Sequence, residues 1–260
     1  MNTVKVRNIE IGSGVPKICI PIVGITQEEV LKAAREIKKL DADVVEWRVD
    51  WFEEVWNGEK IRETLLQLRK ILEEIPLLFT FRTLNEGGEK AAQAEDYVNL
   101  NQAAIETGCI DLVDVELFTG DEAVRKIVER AHEHAVGVVM SSHDFQKTPS
   151  REEIVSRLIR MQQLGADIPK IAVMPRCKKD VLTLLAATEE MSSEYADRPI
   201  ITMSMASDGM ISRLCGEVFG SALTFGAAGK ASAPGQMEAG DLRTVLDILH
   251  KGLDHTEVED

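Results

Sequence analysis

Lys170 stands in the apolar run IPKIAVM, where an ammonium group loses hydration. Loss of hydration favours the neutral amine, and a neutral lysine amine can add to a ketone. His143 closes the run GVVMSSHD, a place where a general acid/base would be held at the end of a strand. Glu86 follows in a loop, NEGGE, whose two glycines permit a tight turn. A carboxylate there could fix one tautomer of His143 and raise its basicity. Each residue also has a plainer role open to it. Lys170 could pair structurally with Glu46, Asp114 or Glu116, His143 could be a satisfied core histidine, and Glu86 an ordinary loop charge.

The elements that must position these residues decide between the two roles. Eight β-rich runs alternate with longer helical patterns: 18–24, 44–50, 77–83, 112–117, 137–144, 169–174, 199–205 and 220–226. Their spacing is that of one strand plus one helix, which predicts parallel strands with helical crossovers. The chain has 260 residues, close to the roughly 250 that one eight-stranded α/β barrel needs. The expected fold is therefore a (β/α)8 barrel. Thr26 with Glu29, and Ser150 with Glu153, have the spacing of capping boxes at helix starts. Val4, Val6, Ile9 and Ile11 predict a hairpin closing the barrel bottom. Residues 1–253 form one catalytic domain in this reading, and 254–260 are an acidic tail expected to fray.

In such a barrel both strand faces should be apolar, because one packs under helices and the other fills the interior. Here one face of five strands, the second to the sixth, breaks that rule. The second strand sets Glu46, Arg48 and Asp50 opposite Val45, Trp47 and Val49. The third sets Thr80 and Arg82 opposite Phe79 and Phe81, and the fourth Asp114 and Glu116 opposite Val113 and Val115. Ser141 with His143, and Lys170 with Ala172, continue the pattern. A single buried charge could be a core ion pair. Five consecutive strands carrying charges near their C-terminal ends predict a catalytic site at the barrel mouth.

The formal charge of −14 argues against nucleic acid as a partner, since phosphate neutralisation needs a basic face. It leaves room for an anionic small molecule held by a local cluster of arginines. No apolar stretch is long enough to span a membrane, and the N-terminus lacks a secretory pattern. The four cysteines are scattered without CxxC spacing, which fits a reducing cytoplasm and no metal.

The segments EWRVD (46–50), FTFR (79–82), EGGE (86–89), ELFTGD (116–121), SSHDF (141–145), DIPKIAVMP (167–175), ITMSM (201–205), ISRL (211–214), GEVFGSALTFG (216–226) and KASAPGQ (230–236) together resemble the type I 3-dehydroquinate dehydratases. The resemblance runs over nearly the whole chain, in order. It implies dehydration of 3-dehydroquinate to 3-dehydroshikimate by syn elimination through a lysine imine, with neither metal nor organic cofactor. The setting would be biosynthesis of aromatic precursors or quinate breakdown, in a cytoplasmic homodimer. Carried onto matching positions, Lys170 would form the imine, His143 would move the protons and Glu86 would orient His143. Arg213, Gln236 and Ser232 would grip the carboxylate, and Glu46 and Arg82 would contact ring hydroxyls. Arg48 would belong to the polar network, and Met203, Met205 and Phe225 would form apolar walls. Two positions depart from the family pattern: Pro21 stands where many relatives carry serine at the end of strand one, and Gly229, preceding Lys230 within the loop 226–236, bears on the closing of that loop.

Other chemistries place the same residues differently. An aldolase-like Schiff-base lyase would also use a barrel lysine, but expects carbon–carbon cleavage and usually a phosphate cradle. A metal-dependent sugar isomerase would take Glu46, Glu116 and His143 as ligands. A non-catalytic binding barrel is the third class.

Overall fold

In the computed structural model, which describes residues 3–229 and 235–254, the alternation along the strands becomes two separate cores. The chain begins with an antiparallel hairpin of β1 (Val4–Val6) and β2 (Ile9–Ile11). Eight parallel strands follow: β3 (Lys17–Ile22), β4 (Val44–Arg48), β5 (Leu77–Thr80), β6 (Leu112–Glu116), β7 (Gly137–Asp144), β8 (Ile168–Val173), β9 (Ile201–Ser204) and β10 (Leu223–Phe225). They lie in the order β10-β3-β4-β5-β6-β7-β8-β9. The ring closes between β9 and β10 through a bridge at Ile200 and Ser221, with Ala222 N donating to Ile200 O at 2.8 Å. This is the (β/α)8 barrel expected from the spacing.

The outward residues Ile18, Ile20, Val45, Trp47, Phe79, Val113, Val115 and Ile171 share one buried cluster with the helices. Those helices are α1 (Gln27–Ile37), α2 (Gly58–Leu72), α3 (Ala94–Glu106), α4 (Asp121–Glu133), α5 (Arg151–Gln163), α6 (Lys178–Glu190), the short α7 (Met210–Leu214) and α8 (Gly216–Phe219), and α9 (Ala239–Asp254). Trp47 is fully buried there, edge-on to Phe52 and Phe79 at 5.7 and 5.8 Å between ring centroids. The second cluster fills the barrel: Cys19, Val44, Leu78, Leu112, Val139, Ile168 and Ile201, with Val6 and Ile11 of the hairpin packed into it. The hairpin thus covers the bottom. Apolar filling occupies the lower interior and charge the upper, which leaves the polar residues nowhere to face except the mouth.

Local signals account for the helix starts. Thr26 Oγ1 accepts from Glu29 N at 3.3 Å, and Glu29 Oε2 accepts from Ile25 N at 2.8 Å. Ser150 Oγ accepts from Glu153 N at 3.3 Å. Several strands are shorter than the apolar runs that predict them. β4 ends at Arg48 because Val49–Trp51 turn into a 3-10 helix, which swings Asp50 back onto Arg48. The runs at 199–205 and 220–226 shrink to four and three residues, since Pro199 offers no backbone donor and Gly220 takes a left-handed φ of 97° at the end of α8. Among the described residues, no helix is long and apolar enough to cross a membrane. The acidic stretch 255–260 lies outside the described residues.

Candidate active site

Register sets the central pair. Lys170 on β8 sits beside Ser141 of β7 on one side and Ile201 of β9 on the other, while His143 sits beside Ala172. His143 is therefore two residues nearer the mouth than the neighbour of Lys170 and on the same face, about 7 Å along the strand. Lys170 is 3% exposed. Its Nζ lies 3.3 Å from Asp114 Oδ2, 3.9 Å from Glu46 Oε1 and 4.5 Å from the centroid of the Phe225 ring.

Glu86 reaches His143 from the turn after β5. Its Oε2 accepts from the His143 backbone N at 3.0 Å and from Nδ1 at 2.9 Å. With Nδ1 donating, the lone pair of the neutral ring is on Nε2. Burial, followed by the charges of Arg82, Lys170 and Arg48, holds the His143 pKa well below its ordinary value. Burial also pushes Glu86 up to about 8, helped by Glu116 and Asp114 and opposed by Arg82. The site thus disfavours net charge of either sign on this pair, and His143 is kept as a free base.

The turn that presents Glu86 depends on its glycines. Gly87 has φ 83°, and a Cβ there would come within 2.3 Å of the Phe145 ring. A Cβ on Gly88 would meet the Arg82 carbonyl oxygen at 1.9 Å. Both positions therefore exclude side chains, for conformational reasons in one case and steric ones in both.

Arg82 organises the buried acids. Its Nη1 donates to Glu116 Oε1 at 2.8 Å and Ser141 Oγ at 2.9 Å, and Nη2 pairs with Asp114 Oδ1 at 2.8 Å. Burial would lower its pKa, but Asp114, Glu116 and Glu86 raise it well above the usual range. Glu116 also accepts from Thr83 N and Oγ1, at 2.8 and 2.6 Å. Arg48 is gripped by Asp50 through two bonds of 2.8 Å each. Arg213 is 2% exposed and places Nη1 3.5 Å from Met203 Sδ. Burial lowers its pKa to about 10, which leaves it a cation at neutral pH.

These groups line one open cavity of about 470 Å³ at the mouth. Glu46, Arg48, Arg82, Glu86, His143, Lys170, Arg213 and Gln236 contribute its polar lining, and Met203, Met205 and Phe225 its apolar lining. The structure brings together every site residue expected from sequence except Ser232, which lies outside the described residues. Gly87 and Phe145 line the cavity as well and were not expected there, while Ala172 joins them on the face that strand parity gives it with Lys170. Gly87 had a signal, the paired glycines; Phe145, just past the strand end, had none beyond proximity to His143. Asp114 carried a signal too, because its strand parity points it inward.

The rival ligand set does not assemble. Among the described residues no three His, Cys, Asp or Glu side chains are grouped to hold a metal ion, and Glu116 is committed to Arg82 and Thr83.

Comparisons with known proteins agree on one family. The family model described as Type I 3-dehydroquinase matches residues 18–253. The 3-dehydroquinate dehydratase of Clostridioides difficile (strain 630) is 57% identical over 250 residues, covering 96% of this chain and 98% of that relative. The 3-dehydroquinate dehydratase of Listeria welshimeri serovar 6b is 59% identical over 251 residues, covering 96% and 99%. A crystal structure of the type I 3-dehydroquinate dehydratase from Clostridium difficile with covalently modified comenic acid superposes with a TM-score of 0.95 at 57% identity, covering 96% of this chain and 99% of that one.

Proposed function

The chain belongs to the type I 3-dehydroquinase family and dehydrates 3-dehydroquinate to 3-dehydroshikimate in the shikimate pathway; we propose that it does so through an imine on Lys170. The observation that carries this reading is the position of Lys170, a buried amine in the cavity wall with the free base His143 on the next strand.

The amine lone pair of Lys170 attacks the ketone carbon, and the carbonyl oxygen, taking one proton from the attacking nitrogen and one from solvent, departs as water to leave a protonated imine. The imine acidifies the neighbouring carbon, because the C–H electron pair can move into the ring as an enamine. His143 Nε2 takes that proton. The enamine then expels the hydroxyl, which receives the same proton from His143 and leaves as a second water. Hydrolysis of the conjugated, protonated imine consumes one water, releases 3-dehydroshikimate, restores the amine and returns one proton to solvent. One histidine serves both transfers when proton and hydroxyl leave from the same ring face, hence syn elimination. Glu86 holds the tautomer that makes Nε2 the base.

Arg213, with Gln236 and Ser232, takes the substrate carboxylate, for which a planar guanidinium is geometrically suited. Glu46 and Arg82 hold ring hydroxyls, Arg48 braces the polar wall through Asp50, and Met203, Met205 and Phe225 exclude water. The reading includes a cytoplasmic setting and a pair of identical chains, supported by the family resemblance; light scattering of the purified protein tests the pairing. The mechanism is tested by borohydride reduction with 3-dehydroquinate, followed by intact mass and peptide mapping. A substrate-dependent adduct on Lys170 is expected. Dehydration without any adduct would remove the imine.

A further inference from the structure

Asp114 is a buried ionisable group to which the steps above give no part. It lies on the inward face of β6, fully buried. Its two oxygens have different company. Oδ1 accepts from Ser141 Oγ at 2.6 Å and faces Arg82 Nη2 at 2.8 Å, while Arg82 Nη1 donates to Ser141 Oγ at 2.9 Å. The three side chains close a triangle that fixes the rotation of the carboxylate. Oδ2 is thereby aimed at Lys170 Nζ, 3.3 Å away.

We infer that Asp114, aimed by Ser141 and Arg82, is the standing counterion of the Lys170 nitrogen, first as ammonium and then as the protonated imine. The inference rests on Lys170 forming the imine. Asp114 trades no proton in it; the carboxylate stays ionised while the positive charge beside it changes from ammonium to iminium. A nearby anion favours the protonated form of a nitrogen, and only the protonated imine draws electrons strongly enough to acidify the neighbouring carbon.

Two features support ionisation throughout. Burial would raise the Asp114 pKa, yet Arg82 and Lys170 together with the bond from Ser141 hold it below its ordinary value. Arg82 is also anchored by Glu116, so its charge stays in place when the lysine nitrogen changes form. Other groups face the same nitrogen. Glu46 of β4 is 3.9 Å away, beyond hydrogen-bond reach, and its Oε1 accepts from Thr80 Oγ1 at 2.9 Å. Cys19 of β3 has its thiol pushed well up by burial, so it is neutral. His143 of β7 is neutral, and β10 offers the Phe225 ring. The one carboxylate oxygen within bonding distance is that of Asp114, among the described residues.

The test compares borohydride trapping of 3-dehydroquinate on wild type and Asp114→Asn across a pH range, with kcat, KM and thermal melting recorded in parallel. Trapping requires the protonated imine, so the yield falls at high pH where the imine loses its proton. Removing the counterion is expected to move that fall downward by about 1–3 pH units and to lower kcat more than it raises KM. If Asp114 only braces Arg82, KM rises and the fall stays where it is, which overturns the inference. Should Asp114→Asn not fold, Ser141→Ala keeps the charge but frees Oδ1. A smaller downward move is expected there, and an unmoved fall overturns the aimed counterion. No trapping in wild type at any pH would instead remove the imine itself.

Discussion

His143 gives Glu86 two hydrogen bonds, one from its backbone N and one from Nδ1, both to the same oxygen. The backbone bond ties the carboxylate to β7 itself, so the position of the base and the position of its orienting acid cannot drift apart. The ring is set by the strand as much as by its own rotamer.

If His143 moves both protons, its removal should spare imine formation. His143→Ala is expected to lower kcat by about 10²–10⁴, the usual worth of a positioned acid/base. Substrate-dependent trapping on Lys170 should persist in the variant. Turnover close to wild type would show that the proton work lies with another group.

The raised pKa of Glu86 has a consequence for stability. Between an unfolded value of 4.5 and a folded value of about 8, the native protein holds a proton that the unfolded chain lacks. Its contribution is therefore complete below pH 4.5 and lost as pH rises through about 8. His143 has the opposite sign: its folded pKa is depressed, so its contribution is present above about 6.5 and is lost as pH falls. Glu86→Gln removes the first effect alone. Urea midpoints should show the variant gaining on wild type from pH 5 to pH 9, by on the order of a few kcal/mol. A constant difference over that range would place Glu86 near its ordinary pKa.

Arg213 carries a charge in a nearly closed position, where it would meet a carboxylate with little competition from water. Truncation to alanine is expected to raise KM about 10- to 100-fold, the worth of one charge-assisted bond of about 1.5–3 kcal/mol. Lysine at this position should recover only part, because it lacks the planar fork. An unchanged KM would locate the carboxylate elsewhere in the cavity.

Gly87→Ala tests the turn. The new methyl meets the Phe145 ring and sits on a φ of 83°, so either the ring or the turn must move. A loss of about 1–2 kcal/mol in stability is expected, with kcat/KM falling at least about tenfold as Glu86 shifts from His143. Full activity would mean that the Glu86 turn tolerates displacement.

Much of this arrangement is written in alternation. The inward parity of Glu46, Arg48, Arg82, Asp114, His143 and Lys170 follows from their neighbours, since Trp47, Phe79, Val113 and Ile171 need the helical layer. Pairing is less legible. Lys170 had Glu46, Asp114 and Glu116 as equal candidates by position, and the choice of Asp114 depends on where Arg82 lies, a residue past the end of a different strand. The bond between Arg48 and Asp50 needs the 3-10 turn that follows β4, which no periodicity announces. Strand ends were overestimated where apolar residues continue beyond the ladder, as at Val49 and Phe81. Phe145 reaches the cavity only because Gly87 leaves space for its ring.

The hairpin beneath the barrel has a kinetic meaning. With Val6 and Ile11 packed into the interior, the barrel bottom is covered among the described residues, so the site is reached from the mouth side. Substrate and product therefore use the same side of the barrel. Product lingering at the mouth blocks the next substrate, and inhibition by 3-dehydroshikimate should be competitive, with its strength set by the same groups that admit the substrate.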